Sequence, residues 1–325
     1  FRRSSNNAES WSDPAVVSQI NGDGDTHSGT LGYQYRSAIA AVDSYVYAAW
    51  VDWNLMDVDD YYDYEIMFAI SSDYGATWDE PFILSDSYGD DYSYEPVIVA
   101  EGSHVYVAWR EYGNVDGSGA LEYDIAFRHS ENYGQNWDDT VVPYDNDGAD
   151  YYPALALGGD RVYLALIEYR QDPDSTLYDY YVMSLWSDDY GNSWTEPVVV
   201  SSEDESNLAD YPVLAADSDT LYVAWTDYGN YDGDGVSDYD VIFKSSGDGG
   251  SSWSDPVVIS DDTATSSSSY LFPTLAAGSG LVYVAWQNYN GSDYSHQLRF
   301  SDDQGAEWSD WTEISDSGNQ KQNVN

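Results

Sequence analysis

Five copies of the pattern Ser-x-Asp/Asn-x-Gly-x-x-Trp run through the chain in phase, and no other feature limits its fold as tightly. They end at Trp78, Trp137, Trp194, Trp253 and Trp308, so successive copies lie 59, 57, 59 and 55 residues apart. A fixed period of this length marks one supersecondary unit repeated in tandem. Ahead of each copy lies a β-rich string, Val46-Tyr47-Ala48-Ala49-Trp50 in the first unit, with counterparts ending at Trp109, Leu166, Trp225 and Trp286. A shorter apolar string precedes each of those, and Pro96, Pro153, Pro212 and Pro273 lead it in four units. A third resembles Asp124-Ile125-Ala126-Phe127, and a fourth follows the Trp, as in Pro256-Val257-Val258-Ile259. Each unit therefore reads as four short strands without helical periodicity. Radial stacking covers both faces of such sheets, which explains strands that are apolar almost without alternation. The fold class is all-β, a β-propeller of four-stranded antiparallel blades.

The pattern resembles the Asp-box, or BNR repeat, of sialidase-like β-propellers, over nearly the whole chain. The resemblance implies that each box is the turn between the third and fourth strands. Its acid caps turn N–H groups, its Gly takes a backbone shape a Cβ would obstruct, and its Trp packs between blades. On that reading Asp73, Gly75 and Trp78, Asn132, Gly134 and Trp137, Asp189, Gly191 and Trp194, Asp248, Gly250 and Trp253, and Asp303, Gly305 and Trp308 are structural. They lie on the face opposite the family's active site.

A half-unit opens the chain. Phe1 to Trp11 aligns with Phe127 to Trp137, with Ala8 in the place of the box Gly. The expectation is a half-blade of third and fourth strands over residues 1–20, five complete blades over 21–316 and a polar tail over 317–325. Six blades with the first completed elsewhere, or a five-bladed ring with an N-terminal extension, both satisfy this count. An unpaired blade edge is a template for strand addition, so self-association through the incomplete blade is a further expectation.

Charge excludes several partners. The chain carries 59 Asp and Glu against 10 Lys and Arg, a formal charge of -49. Nucleic-acid binding needs a basic footprint that this chain lacks. No apolar run of membrane-spanning length occurs, so membrane insertion is not expected. The absence of cysteine removes disulfides, thiolate catalysis and Cys-ligated metals. The four histidines, His27, His104, His129 and His296, show no ligand spacing. Phe1 is not an initiator Met, so the chain reads as a processed or trimmed product of a secreted or cell-surface protein; Asn290-Gly291-Ser292 is a lone glycosylation sequon.

The acidic loops offer two readings. Alternating carboxylates around glycines suit calcium, a hard cation that takes six to eight oxygens. The candidate ligands are Asp232, Asp234, Asp238 and Asp240, then Asp57, Asp59 and Asp63, then Asp172, Asp174 and Asp179. The competing reading is a solvated acidic surface of the high-salt kind. After the second strand each unit also repeats an acid or amide beside an aromatic. The aromatics, Trp53, Tyr112, Tyr169, Tyr228 and Tyr289, are candidate stacking faces for glycans, or inter-blade packing.

The resemblance also implies a test for sialidase chemistry, which uses three arginines, a Tyr–Glu nucleophile pair and an Asp acid/base. Tyr35-Arg36 stands where the family's first arginine does, Arg110 follows a second strand, and Asp52 is an available acid. Ser37-Ala38 replaces the usual Ile-Pro, and no second and third clamp is evident. An anionic sugar would also be repelled by so negative a face. The sequence thus points to a non-enzymatic structural or binding module holding calcium, with a glycoside hydrolase as the alternative.

Overall fold

The structure, a computed structural model, describes residues 1–18, 37–56, 62–85, 92–115, 117, 120–146, 148–171, 178–201, 208–229, 231, 237–260, 271–289 and 294–315, with backbone only at 53–56, 62, 63, 171, 178 and 289. The chain divides into two compact units, Phe1–Asp145 and Asn146–Asn325. Every regular element among the described residues is a strand.

The first unit holds β1 (Ala38–Val42), β2 (Tyr45–Met56), β3 (Tyr62–Ser71), β4 (Phe82–Ile83), β5 (Tyr92–Glu101), β6 (His104–Gly113) and β7 (Glu122–Ser130). Strands β1 to β4 form one antiparallel group and β5 to β7 another, joined by a single parallel bridge between Tyr64 and Tyr92. The second unit holds three four-stranded antiparallel sheets. They are β8 (Ala149–Gly158), β9 (Arg161–Gln171), β10 (Tyr178–Ser187) and β11 (Val198–Val199); β12 (Asp210–Asp217), β13 (Thr220–Gly229), β14 (Asp238–Ser246) and β15 (Val257–Val258); and β16 (Thr274–Gly278), β17 (Leu281–Tyr289), β18 (Tyr294–Ser301) and β19 (Thr312–Glu313). We number the five groups as first to fifth sheet in chain order.

Second strands such as Leu221-Tyr222-Val223-Ala224-Trp225 are buried without alternation, because the neighbouring sheets of the same unit cover both faces. In the first unit Tyr47, Phe68, Val107 and Trp109 share one core. In the second unit Ile167 and Val182 pack with Val223 and Trp225, and Tyr222 and Phe243 with Val284 and Trp286.

The fourth strands are shorter than their sequences suggest: Val257–Val258 pairs where four residues were expected, and in the second sheet a lone bridge joins Phe127 to Val141. A serine after the strand compensates. Ser85, Ser201, Ser260 and Ser315 each accept the amide N–H of a third-strand residue, Ile66 at 2.9 Å, Val182 at 3.1 Å, Val241 at 3.1 Å and His296 at 2.8 Å. Each clasp replaces a ladder hydrogen bond that the short strand does not supply.

The turn after each third strand closes on itself. In the first sheet the Gly75 amide donates to Ser71 Oγ at 2.8 Å, Ser71 Oγ donates to Asp73 Oδ1, and the Thr77 amide and hydroxyl donate to the two Asp73 oxygens at 2.8 and 2.7 Å. The same bonds recur around Asp189 and Asp248, and their backbone part around Asn132 and Asp303. Residues 1–15 form a hairpin with a sixth turn of this kind. Phe1 and Ala15 exchange backbone bonds at 2.8 Å, and the Ala8 amide donates to Ser4 Oγ at 2.9 Å. Ala8 takes φ +63° where its counterparts are Gly at +76° to +92°.

One sequence expectation is corrected. The Pro-led strands do not begin at proline: β5, β8 and β12 start earlier, and Pro96, Pro153 and Pro212 sit inside bulges that break register between Tyr94 and Val97, Tyr151 and Ala154, and Asp210 and Val213. Proline has no N–H to give a ladder, so a bulge on the edge strand is where a sheet tolerates it. The residue before each proline is left-handed: Glu95 at φ +56°, Tyr152 at +52°, Tyr211 at +52° and Phe272 at +42°. Such a conformation costs on the order of 1–3 kcal/mol at a non-glycine residue and persists only where its surroundings impose it.

Candidate functional site

Those bulges build the most distinctive surface of the second unit. Tyr152 and Tyr211 lie in the edge strands β8 and β12, and Phe272 lies two residues before β16, so the three come from successive sheets. Their rings form a ladder, Tyr152 to Tyr211 at 4.6 Å and Tyr211 to Phe272 at 4.6 Å between centroids. All three are half-buried. The left-handed residue turns each side chain out of its strand's alternation, which lets rings from different sheets meet. The sequence signal was an aromatic-proline pair at one repeat position, Tyr152-Pro153, Tyr211-Pro212 and Phe272-Pro273, read only as strand starts.

A charged cluster lies in the third sheet beside Tyr152. Glu168 on β9 stands opposite Asp150 on β8 and Tyr181 on β10, and Arg170 stands opposite Asp179. Directly opposed side chains have Cβ atoms about 5 Å apart, and opposed like charges are destabilising unless countered. The counter-groups are present: Arg170 Nη1 is 3.4 Å from Glu168 Oε2, and Asn146 Nδ2 donates to both Asp150 oxygens at 3.2 and 3.3 Å. The Tyr181 hydroxyl donates to Asp179 at 3.3 Å, and the Arg170 guanidinium lies 4.2 Å from the Tyr181 ring centre. Burial, followed by the Asp179 charge, raises the Tyr181 pKa above its usual value. Asp150 is 0% and Glu168 4% exposed, whereas the Arg170 side chain is 41% exposed.

This cluster departs from the repeat. In the second and fourth sheets the second-strand Trp donates its indole N–H to the acid two residues on: Trp109 to Glu111, and Trp225 to Asp227 at 2.9 Å. Asp227 also accepts from the Tyr231 hydroxyl at 2.7 Å and the Tyr228 amide at 2.9 Å; burial still raises its pKa above the usual carboxylate value. In the third sheet Leu166 replaces the Trp, and Glu168 meets Arg170 instead.

The other sequence candidates fall as follows. Asp179 and Asp240 are buried strand residues, in β10 and β14. Asp240 accepts from Ser260 Oγ at 2.6 Å, and Asp238 opens β14. Asp63 lies in β3, and Asp57, Asp59, Asp172, Asp174, Asp232, Asp234 and Arg36 lie outside the described residues. Among the described residues no group of three or more His, Asp or Glu side chains is placed to hold a metal ion. Tyr112 and Tyr169 pack on Tyr123 and Tyr180 at 4.8 Å, and Tyr228 is 37% exposed beside Tyr239. Trp53 and Tyr289 are in strands, paired in register with Tyr64 and Tyr294. In the first unit Asp52 stands opposite Glu65. Arg110 is engaged by Glu95 at 3.7 Å and by the rings of Tyr94 and Tyr123 at 4.9 and 5.1 Å. At the turn end of the second sheet His104 Nδ1 meets His129 Nε2 at 2.9 Å, a contact the sequence did not suggest.

No protein-family model matches the sequence, and no curated protein does. Solved structures do resemble it. An ulvan lyase of polysaccharide lyase family PL25 superposes with TM-score 0.60 at 13% identity, over 95% of this chain and 76% of that one. An α-L-arabinofuranosidase of Fusarium graminearum gives 0.57 at 15%, over 86% and 82%. The sialidase NanB of Streptococcus pneumoniae gives 0.55 at 12%, over 86% of this chain, which spans 61% of that enzyme's length. These likenesses show the fold: the chain is an all-β protein of the sialidase-like β-propeller kind.

Proposed function

We propose that this chain acts on glycans, that it prefers uncharged sugars, and that it holds them against the Tyr152–Tyr211–Phe272 ladder. The ladder carries the reading: three half-buried aromatic rings in line, set by three repeated backbone distortions, suit sugar rings, which stack on aromatic faces while polar groups meet their hydroxyls. The charge of -49 disfavours anionic sugars, and Arg110, already held by Glu95 and two tyrosines, is a poor clamp for a carboxylate. The repeated turns are read as Asp-boxes, on the strength of their shared hydrogen bonds.

For hydrolysis the candidate carboxylates are Asp150 and Glu168, which stand directly opposite each other across β8 and β9. Arg170 supplies the counter-charge to Glu168, and Asn146 holds Asp150. A second reading, a non-catalytic glycan-binding module, is favoured by the burial of both acids. Similarity of fold to enzymes named for glycan cleavage supports the first. Calcium on the acidic loops, and a place outside the cell, are proposed on charge and composition alone. A melt with and without chelator at fixed ionic strength tests the former, and an unchanged midpoint counts against it.

The test is to present the purified chain with neutral and anionic polysaccharides and to measure both binding and reducing ends released. Tyr211→Ala is expected to weaken binding of a neutral glycan about tenfold, the stacking contribution of one ring. Binding without release of ends selects the module. Failure to bind any neutral glycan removes the proposal.

A further inference from the structure

Within each unit the sheet face that looks toward the next sheet is covered by that sheet's turn, and the covering group is the turn's Trp. Phe68 of the first sheet meets Trp137 edge-on at 5.0 Å, and Phe243 of the fourth meets Trp308 at 4.9 Å. A Cβ on Gly134 would touch Phe68 at 3.2 Å, and one on Gly305 would strike Phe243 at 2.5 Å. In the third sheet the aromatic sits two residues later, as Trp186 paired with Tyr163, and it packs on Gly250, Leu221 and Trp253 of the fourth. The N-terminal hairpin behaves as a preceding sheet: Phe1 meets Trp78 edge-on at 5.2 Å and lies over Gly75, and Arg3 Nη1 donates to the Asp73 carbonyl at 3.4 Å.

Among the described residues, two members of the series stay exposed. The fifth sheet repeats the third, with Phe300 in register with Tyr283. Here Tyr283 is 39% and Phe300 41% exposed, against 3% for Tyr163. A Cβ on Gly158 would meet Ser218 and Ala216 of the next sheet, whereas one on Gly278, its counterpart, would meet nothing within 4 Å. At the other end of the series, the turn of residues 4–11 is fully formed. Its Trp11 is 58% exposed, while the Trp of each of the other five turns is half-buried.

We infer that the chain self-associates head to tail: the turn of residues 4–11 of one copy seats Trp11 on the Tyr283–Phe300 face of a second copy. The occupant is chosen by the molecule's own precedent, since this kind of turn covers the matching face at every instance described above. The two surfaces differ, so the contact is heterologous and can propagate into chains of copies. Each copy carries -49 charges, so association is opposed by repulsion and strengthens as salt screens it.

The test is sedimentation of the full chain over a concentration series at about 0.1, 0.5 and 2 M NaCl. Association that rises with concentration and salt is expected. Trp11→Ala and Phe300→Ala should each weaken it at least about thirtyfold, the loss of a central aromatic anchor, with unchanged circular dichroism because both side chains are exposed. Each variant keeps one good surface, so an equal mixture should form 1:1 dimers that do not extend. A wild-type chain that stays monomeric throughout, variants that associate as wild type does, or a mixture that remains monomeric would each overturn the inference.

Discussion

The two ends of each sheet obey different rules. At the end where the third strand finishes, Ser71, Asp73, Gly75 and Thr77 make bonds that recur almost atom for atom around Asp189 and Asp248. At the opposite end one strand position holds Glu111 bound to an indole, Glu168 bound to an arginine and Asp227 bound to an indole and a phenol. Repetition is what packing alone requires, since each unit must dock on the next in the same way. A single ligand needs a single arrangement, so departure from repetition marks where a site can be. By that criterion the third sheet is the candidate and the turns are scaffold.

The largest effect expected from this contrast is on turnover. Glu168→Gln removes the charge that Arg170 faces and should lower glycan hydrolysis by about 10³-fold or more, with a melting temperature close to wild type. Asp227→Asn alters the matching acid of the fourth sheet, which is buried among its partners, and should leave turnover within about twofold. Equal losses in both variants, measured as kcat/KM on the same neutral substrate, would erase the distinction between the two sheets.

Next in size is an effect on stability at the turn end. Gly305 has φ +92° and a Cβ there would strike the Phe243 ring at 2.5 Å, so Gly305→Ala combines left-handed strain with overpacking. A cost of about 3 kcal/mol is expected. Gly280, in the neighbouring turn at φ +80°, has nothing within 4 Å of its Cβ position, and Gly280→Ala should cost only about 1 kcal/mol. Chemical denaturation of the pair separates backbone strain from packing; similar costs would mean that the turn does not depend on its neighbour.

The same contrast explains what the sequence made legible. The turns could be read because their bonds join residues two to four apart, so Ser, Asp, Gly and Trp carry the whole instruction within eight positions. The sheets could be read because Val, Tyr and Ala fill strands buried on both faces. The aromatic ladder was hidden because Pro153 and Pro212 look like strand starts, while the structure places them inside strands, at bulges that the preceding tyrosine absorbs. The serine clasps were hidden because Ser85 and Ser260 act on strands nineteen residues away. Leu166 in place of Trp was visible, but its consequence, a carboxylate transferred from an indole to Arg170, depends on pairing across β9 that no local pattern states.

The smallest effect tests whether the turn acids do more than fill space. Hydrogen bonds from Thr77 lower Asp73 from 3.8 to about 2, and bonds from Ser252 lower Asp248 from 3.8 to about 2. A depressed folded-state pKa contributes stability that is complete above the unfolded value and is lost as pH falls through the folded one. The window is therefore pH 4 to 2. Protonating the other carboxylates over the same range relieves repulsion within a chain of charge -49, which acts in the opposite direction. The absolute melting temperature then mixes two trends, and the informative quantity is the difference between wild type and Asp248→Asn. Asparagine keeps the oxygen that accepts the Ser252 amide, as Asn132 does for Asn136, but it loses the charge and the second acceptor. Wild type should be the more stable at pH 5 and the gap should close by pH 2. A gap that is constant across that range would mean that the aspartate serves only as a hydrogen-bond acceptor, interchangeable with the asparagine the second sheet already uses.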